Sequence, residues 1–217
     1  MPLTRAGAVA QRLREMIKSG ELPAGTHLRQ ADFAERFGVS TTPVREAFVA
    51  LAREGLVTQD AHRGVVVFRP SLQELDEIYE IRIALEPLAT EIAAKQLSED
   101  DLVALQKTLA QMREAKPSRY LELNDEFHSR IYGSTGRPRL LDMIDALRDA
   151  AANYLGMGVF RYQPEYRDEV QKEHESIVAG LKARSPKRAA RAMREHLEHS
   201  ARHAAELIAE SDATTNN

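Results

Sequence analysis

The sequence predicts a mainly α-helical protein, with a winged helix-turn-helix unit at residues 1–70 and an all-α antiparallel helical bundle at residues 71–217. Three observations predict this fold class. Apolar residues recur at helical spacing along most of the chain, the short β-like runs are confined to residues 56–68, and prolines stand at the starts of later helices. A hydrophobic content of 43% and a charged content of 29% are typical of a soluble helical protein.

The composition excludes several classes of protein. The absence of cysteine excludes disulfides and thiolate metal sites. No apolar run is long enough to span a membrane and the N-terminus has no signal-peptide core, so we expect a cytoplasmic protein with no membrane partner. Residues 1–70 hold 10 Lys and Arg against 7 Asp and Glu, whereas residues 71–217 hold 20 against 26. A basic N-terminal segment before an acidic C-terminal segment is consistent with nucleic-acid binding by the N-terminal one.

The N-terminal unit begins with two helices. Apolar residues at helical spacing predict a helix over residues 8–19, which Gly20 ends. A second helix is predicted over residues 30–37. Gly38 then makes the turn into a third helix at about residues 42–54, so that the second and third helices form a helix-turn-helix.

The start of the third helix carries groups that suit DNA. Ser40, Thr41 and Thr42 are good helix caps, and Pro43 suits the first helical position. Arg45 points away from the apolar stripe of this helix, so the exposed first turn carries hydroxyls and one guanidinium. Such groups bind phosphates and base edges in a major groove. The alternative is an ordinary capped surface helix.

Two short strands follow the third helix. Residues 56–58 and 65–68 are predicted as strands, and the segment between them carries His62, Arg63 and Gly64 at its tip. A hairpin after a helix-turn-helix is a wing, and a glycine lets the backbone approach a phosphate or the minor groove closely. We therefore expect these three residues to contact DNA.

Residues 71–217 are predicted to be helical, without strands. A capping box from Ser71 to Glu74 opens a long helix that runs to about Lys95. Ser98 caps the next helix, which ends near Ala115. Further helices are predicted at about 118–133, 138–157, 164–183 and 186–210, with Pro138, Pro164 and Pro186 at first helical positions.

Histidines on separate predicted helices suggest a metal site in the bundle. Asn124 and His128 are four residues apart and leave one helix on the same face, while His174 and His196 lie on two later helices. Imidazoles that converge from separate helices are one way in which bundles hold metals. The alternative is an ordinary polar core, because seven histidines in 217 residues also scatter by chance.

The N-terminal segment resembles the GntR family of bacterial transcription regulators. The resemblance covers most of residues 8–68 and rests on Gly20-Glu21-Leu22-Pro23, Phe37-Gly38-Val39-Ser40, Thr42-Pro43-Val44-Arg45-Glu46-Ala47, Glu54-Gly55-Leu56-Val57 and Arg63-Gly64. It implies that Thr42, Arg45 and the cap residues contact DNA, and that the wing contacts it through His62 and Gly64. Two positions depart from the family pattern: Thr41 stands where Arg is usual, and Ala31 stands where some members carry a DNA-contacting Arg.

The C-terminal segment, over most of residues 72–210, resembles the FCD effector domain of the FadR subfamily. The resemblance rests on Tyr79-Glu80-x-Arg82-x-x-Leu85-Glu86-Pro87, Phe127-His128, Ser134-Thr135-Gly136-x-Pro138, Glu173-His174-x-x-Ile177 and Met193-x-x-His196-Leu197. Metal-binding members of the subfamily place an Asp four residues before the first His and use two later His. At the matching positions of this sequence, the resemblance implies that a divalent metal, Zn²⁺ or Ni²⁺, is bound by Asn124, His128, His174 and His196. Asn124 stands in place of the Asp.

The resemblance also implies a small organic acid as effector. An open position on the metal could take its carboxylate, and Arg82 resembles a residue that faces the effector pocket and would pair with a carboxylate bidentately. The alternative for Arg82 is a structural ion pair, for example with Glu86. Because an amide contributes no charge, Asn124 should give weaker metal binding than a carboxylate at the same position.

We therefore expect a transcription regulator and not an enzyme. As a homodimer it would bind a palindromic double-stranded DNA operator, act as a repressor, and respond to the organic acid at or near the metal. Three histidines with an open site could activate water, but no general base, nucleophile elbow, P-loop or dinucleotide turn accompanies them. The other alternative is a dimeric DNA-binding protein without metal or effector, in which the histidine cluster is structural.

Overall fold

The computed structural model describes residues 4–60, 64–69, 71–154 and 164–215. Within these ranges the chain forms nine helices and one three-stranded sheet. It divides into two compact units, of which the first holds the described residues up to Ser71 together with residues 150–154, and the second holds the rest.

The first unit contains three helices around an apolar core. Leu13, Val44, Phe48 and Leu51 are fully buried in this core, as the helical spacing of the apolar residues requires. Gly38 adopts a left-handed conformation with φ of 63° and closes the second helix, which turns the chain into the third. The helices are α1 (Arg5–Lys18), α2 (Gln30–Phe37) and α3 (Thr41–Arg53).

The start of α3 differs slightly from the prediction. The helix begins at Thr41, so Pro43 is its third residue and the expectation that Pro43 occupies the first helical position is wrong. The reason is that Ser40 already has the extended backbone of an N-cap residue, which places the first helical turn earlier. Pro43 remains in the first turn, where the N–H that proline lacks has no partner within a helix.

A small antiparallel sheet completes the first unit. Its strands are β1 (His27–Leu28), β2 (Val57–Asp60) and β3 (Gly64–Val67), in the order β1-β3-β2. The pairing of β2 with β3 confirms the predicted hairpin. The strand β1 was not predicted, because two residues are too short to show an alternating pattern.

The described residues of the second unit form helices joined by short turns, without strands, which confirms the predicted class. Its long helices α4 (Leu72–Gln96) and α9 (Pro186–Thr215) pack along each other, and α8 (Pro164–Lys182) packs against α9. The prolines at residues 117, 138, 164 and 186 each begin a helix, in accord with their preference for the first turn. The other helices are α5 (Glu99–Glu114), α6 (Pro117–Gly133) and α7 (Pro138–Tyr154), and the last five residues of α7 belong to the first unit.

A glycine brings α8 and α9 unusually close. A Cβ atom built on Gly180 would lie 2.7 Å from the Cα atom of Ala189 on α9. This separation is shorter than real carbon–carbon contacts, so only glycine fits at position 180. The close approach sets the spacing of the two helices that carry His174 and His196.

No helix in the described part of the chain is both long and apolar enough to span a lipid bilayer.

Candidate metal centre and DNA-binding surface

Three buried histidines meet inside the second unit. His128 on α6, His174 on α8 and His196 on α9 each place one ring nitrogen within 4.8 Å of the other two. The Nε2 atoms of His128 and His174 are 3.3 Å apart. Two imidazoles on a tetrahedral Zn²⁺ would have a nitrogen separation of about 3.3 Å, given metal–nitrogen bonds of about 2.0–2.1 Å. His128 and His174 therefore have the separation of two ligands on one metal ion, and His196 completes a cluster of three imidazoles that could hold a metal, called the triad below.

His128 is tied to a buried polar chain behind it. Its Nδ1 lies 3.0 Å from the hydroxyl oxygen of Tyr132, one turn further along α6. The Tyr132 hydroxyl donates in turn to Oε2 of Glu86 on α4. This arrangement leaves Nε2 of His128 facing the other two imidazoles.

His196 is held by a carboxylate. Its Nδ1 lies 2.8 Å from Oε2 of Glu173, and the other oxygen of Glu173 lies 2.5 Å from Nδ1 of His199. An imidazole that donates its Nδ1 proton to a carboxylate presents Nε2 to a metal with a fixed ring orientation. Glu173 thus bridges His196 and His199.

His174 differs from the other two members of the triad. Its Nδ1 is buried and has no hydrogen-bond partner among the residues that the structure describes. Its Nε2 can donate to the bare Nε2 of His128 when no metal is bound. Metal binding would require the opposite tautomer, which leaves a buried N–H at Nδ1 and costs about 1–3 kcal/mol.

Burial keeps two members of the triad, His128 and His174, neutral. Desolvation, with smaller effects from Arg148 and the neighbouring imidazoles, lowers the pKa of His128 well below the usual 6.5. Desolvation also lowers the pKa of His174, with smaller effects from His196 and Arg148. A neutral imidazole is the form that binds a metal, so the environment favours ligation.

Asn124 lies one turn before His128 on α6 and is partly buried. Its role as a fourth ligand remains a prediction. The neighbouring Asp125 is directed elsewhere, since its side chain is 73% exposed and its Oδ1 lies 2.8 Å from Arg148. Asp125 therefore does not replace the carboxylate that position 124 lacks, as the 100° step between consecutive helical residues predicts.

Glu86 is the centre of a buried charge cluster. Its Oε1 accepts a hydrogen bond of 2.6 Å from Nε of Arg82, and its Oε2 lies 3.9 Å from Arg148. Burial alone would raise the pKa of Glu86, but the charges of Arg82 and Arg148 and the hydrogen bonds from Arg82 and Tyr132 outweigh it and hold the pKa below 4.5. The ion pair considered as an alternative for Arg82 is thus present.

The start of α3 forms an exposed polar surface in the first unit. Ser40, Thr41, Thr42 and Arg45 are all exposed, whereas Val44 between them is fully buried. The expected sidedness of this helix is therefore confirmed. Three hydroxyls and one guanidinium on the first turn can hydrogen-bond to phosphates and base edges.

The wing is described only in part. Gly64 is exposed at the start of β3, pairs with Asp60 and has a φ of 73°, which favours glycine. His62 and Arg63, predicted at the wing tip, lie outside the described residues.

Comparison with known proteins identifies the family. Residues 5–67 match the family of bacterial regulatory proteins described as the gntR family, and residues 77–199 match the FCD domain. The chain belongs to the GntR family of regulators. The members of this family and the similar proteins below are transcriptional regulators, not enzymes.

Similar GntR regulators cover most of the chain. The uncharacterized HTH-type regulator YdhC of Bacillus subtilis is 27% identical over 204 residues, which are 91% of this chain and 90% of YdhC. The HTH-type regulator McbR of Escherichia coli is 30% identical over 79% of this chain and 80% of its own. The solved structure of E. coli McbR/YncC has a TM-score of 0.65 and 25% identity, and covers 97% of this chain and 100% of its own.

Several residues behind the triad were not predicted from the sequence. Tyr132 stands four residues after His128, so the helical repeat could have placed both on one face. Glu173 immediately precedes His174, but its contact with His196 joins residues 23 positions apart. The contact between Tyr132 and Glu86 joins residues 46 positions apart, which no local pattern predicts.

Proposed function

We propose that this GntR regulator is a DNA-binding repressor of the FadR subfamily, acting in the cytoplasm, whose DNA affinity is controlled through the second unit. The proposed domains are a DNA-binding domain at residues 1–70 and an effector-binding and dimerisation domain at residues 71–217. The observation that supports control by a metal is the triad, because three buried imidazoles lie together and two of them are oriented by outer hydrogen bonds.

DNA recognition is assigned to the first turn of α3 and to the wing. Ser40, Thr41, Thr42 and Arg45 would enter the major groove, because the N-terminal residues of a recognition helix contact base edges. The wing residues His62, Arg63 and Gly64 would contact the backbone or the minor groove. A dimer with two-fold symmetry requires a palindromic operator.

The DNA contact is tested by substitution within α3. Arg45→Ala should abolish specific retardation of the upstream DNA of the gene in a gel-shift assay. Arg53→Ala is the matched control, because Arg53 is also exposed but lies in the last turn of the same helix. Equal affinity of the two variants would contradict the assignment, and no retardation of any inverted repeat at low salt would count against DNA binding by the wild type.

The metal assigned to the triad is divalent, with Zn²⁺ or Ni²⁺ best suited to imidazole. His128, His174 and His196 would supply three nitrogens and Asn124 a neutral oxygen. When bound, the metal would offer a positive charge and an open position to a carboxylate. Arg82 supports binding of an organic acid: its hydrogen bond to Glu86 uses Nε, so its terminal amino groups are the ones that would meet a carboxylate.

Metal binding is tested on protein purified without a histidine tag. Zn²⁺ or Ni²⁺ at about 100 times its dissociation constant should stabilise the folded protein by about 2.7 kcal/mol. His174→Ala should remove this stabilisation. No shift of the wild type with either ion would favour the alternative, a dimeric DNA-binding protein whose histidine cluster is structural. That alternative is supported by the contact of His128 and His174, which can also be an ordinary hydrogen bond.

The effector is tested on the metal-loaded complex with DNA. Small dicarboxylates and hydroxy acids should release the DNA, because a ligand shifts an equilibrium only through different affinities for its two states. Arg82→Lys keeps the charge but removes the bidentate geometry and should weaken the response. A full response in this variant would assign Arg82 to the ion pair with Glu86 alone.

A further inference from the structure

We propose that Tyr132, oriented by Glu86, holds the proton of His128 on Nδ1 and so directs a bare Nε2 toward the centre of the triad. Tyr132 is then a positioning residue for the metal. The inference rests on the metal binding proposed above. It also gives a role to the buried ion pair of Glu86 and Arg82, neither of which is a proposed metal ligand.

The direction of the hydrogen bonds follows from the charge of Glu86. Its carboxylate is fully buried between two guanidinium groups, at 2.6 Å from Arg82 and 3.9 Å from Arg148. These two positive charges keep the carboxylate ionised, and an ionised carboxylate accepts hydrogen bonds but donates none. The contact between Tyr132 and Oε2 of Glu86 therefore uses the phenolic proton.

With its proton committed to Glu86, the Tyr132 oxygen has only lone pairs left for His128. The Nδ1 atom of His128 is 3.0 Å from this oxygen, so Nδ1 must carry a proton and donate it. The sulfur of Met193, at 3.5 Å from the hydroxyl, is a weak acceptor and does not compete with a carboxylate for the phenolic proton.

The tautomer of His128 then decides what the triad can bind. A neutral imidazole has one N–H, so a proton on Nδ1 leaves the lone pair of Nε2 free. That nitrogen is the one that faces His174, at 3.3 Å. If the Tyr132 hydroxyl were absent, the Nδ1 proton would be buried without this acceptor, and a proton on Nε2 shared with His174 would become favourable. Metal binding would then leave His128 with a buried Nδ1 proton that lacks this acceptor, in addition to the one on His174.

The test compares two Tyr→Phe variants on one helix. Tyr132→Phe removes the hydroxyl next to His128 and keeps the ring. Tyr120→Phe is the matched control, because Tyr120 also lies on α6 and its buried hydroxyl has no hydrogen-bond partner within the described residues. Full-length, metal-free protein is titrated with Zn²⁺ and with Ni²⁺ by calorimetry, and the protonated nitrogen of His128 is identified by ¹⁵N NMR of the imidazoles.

We expect His128 of the metal-free wild type to carry its proton on Nδ1. Tyr132→Phe should weaken metal binding by about 10- to 100-fold, the usual effect of losing an outer hydrogen-bond partner of a ligand. Tyr120→Phe should bind like the wild type. The NMR measurement on the wild type needs no variant, so it decides the matter even if Tyr132→Phe does not fold.

The outcomes separate this inference from the proposed function. A proton on Nε2 of His128 in the metal-free wild type overturns the role of Tyr132, as does an unchanged affinity in Tyr132→Phe when the wild type binds metal. A wild type that binds neither ion overturns the proposed metal site, and the positioning role with it.

Discussion

Single residues behind the triad determine which chemical state the imidazoles adopt. His128 and His196 each have an acceptor for Nδ1, whereas the Nδ1 of His174 has none among the described residues. The triad is therefore not symmetric: two ligands are oriented in advance and the third must change tautomer to bind. We expect His174 to be the most sensitive position, because its metal-bound form leaves a buried donor that only water or a ligand could satisfy.

The same residues predict an acid-sensitive fold in the metal-free protein. Burial lowers the pKa of His128 and His174 below 6.5, so at pH values just under 6.5 the unfolded chain binds more protons than the folded one. Stability should therefore fall as the pH drops below 6.5, with a limiting slope of about 1.4 kcal/mol per pH unit for each histidine. Glu86, whose pKa is lowered from 4.5, should add a further loss below that pH.

Urea unfolding between pH 5 and 8 in the presence of a chelator measures this slope. His174→Gln removes one of the two titrating groups and should lower the slope by about half in the limit where both contribute fully. A slope that is the same in this variant and in the wild type would show that His174 does not titrate on unfolding in this range. Added Zn²⁺ should reduce the sensitivity until the protons compete with the metal.

Among the elements, α8 and α9 depend most on a single small residue. Gly180→Ala would place a Cβ atom 2.7 Å from the Cα and 2.8 Å from the backbone nitrogen of Ala189, and backbone atoms cannot rotate away. The helices must separate, so we expect a loss of stability of about 1–3 kcal/mol, as for other overpacked sites. Because α8 carries His174 and α9 carries His196, metal binding should weaken as well.

The control for this prediction is Gly133→Ala. Gly133 ends α6, and a Cβ atom on it would meet nothing within 4 Å. Alanine should therefore be neutral or slightly stabilising there, since it restricts the unfolded chain more than glycine does. Thermal unfolding and Zn²⁺ titration of both variants check the pair. A Gly180→Ala protein as stable as Gly133→Ala would mean that α8 and α9 can separate at little cost.

Patterns in neighbouring residues predicted the helices and strands well, whereas contacts between residues far apart in the sequence could not be predicted from such patterns. Ser98 caps α5 through the backbone N–H of Asp101 at 3.0 Å, and prolines begin four helices, so these starts were readable from a few neighbouring residues. The sequence also indicated that His128, His174 and His196 share a site, although the family resemblance was needed to select them from seven histidines. The Tyr132–Glu86 contact depends on how α6 packs against α4, which periodicity alone does not determine.

At the scale of the whole molecule, the proposed binding to a palindromic operator requires two copies of the chain. Ile81 and Leu88 are seven residues apart on α4 and therefore lie on one side of it. They remain 40% and 45% exposed, although the opposite side of α4 is buried. The palindromic operator proposed above would require a second copy of this chain, and two-fold symmetry would then pair this face of α4 with the same face of the second copy.

The double variant Ile81→Glu/Leu88→Glu tests this dimer. Four carboxylates would meet across a two-fold interface, so we expect a monomer by light scattering at micromolar concentration and a loss of tight binding to the full palindrome. Val103→Glu is the control, since Val103 is 64% exposed on α5 and its substitution should leave both properties unchanged. Circular dichroism should be the same for all three proteins, because each substituted side chain already lies at the surface. A double variant that stays dimeric would move the interface away from this face of α4, while a dimer that is lost without any loss of DNA affinity would contradict the requirement for two copies.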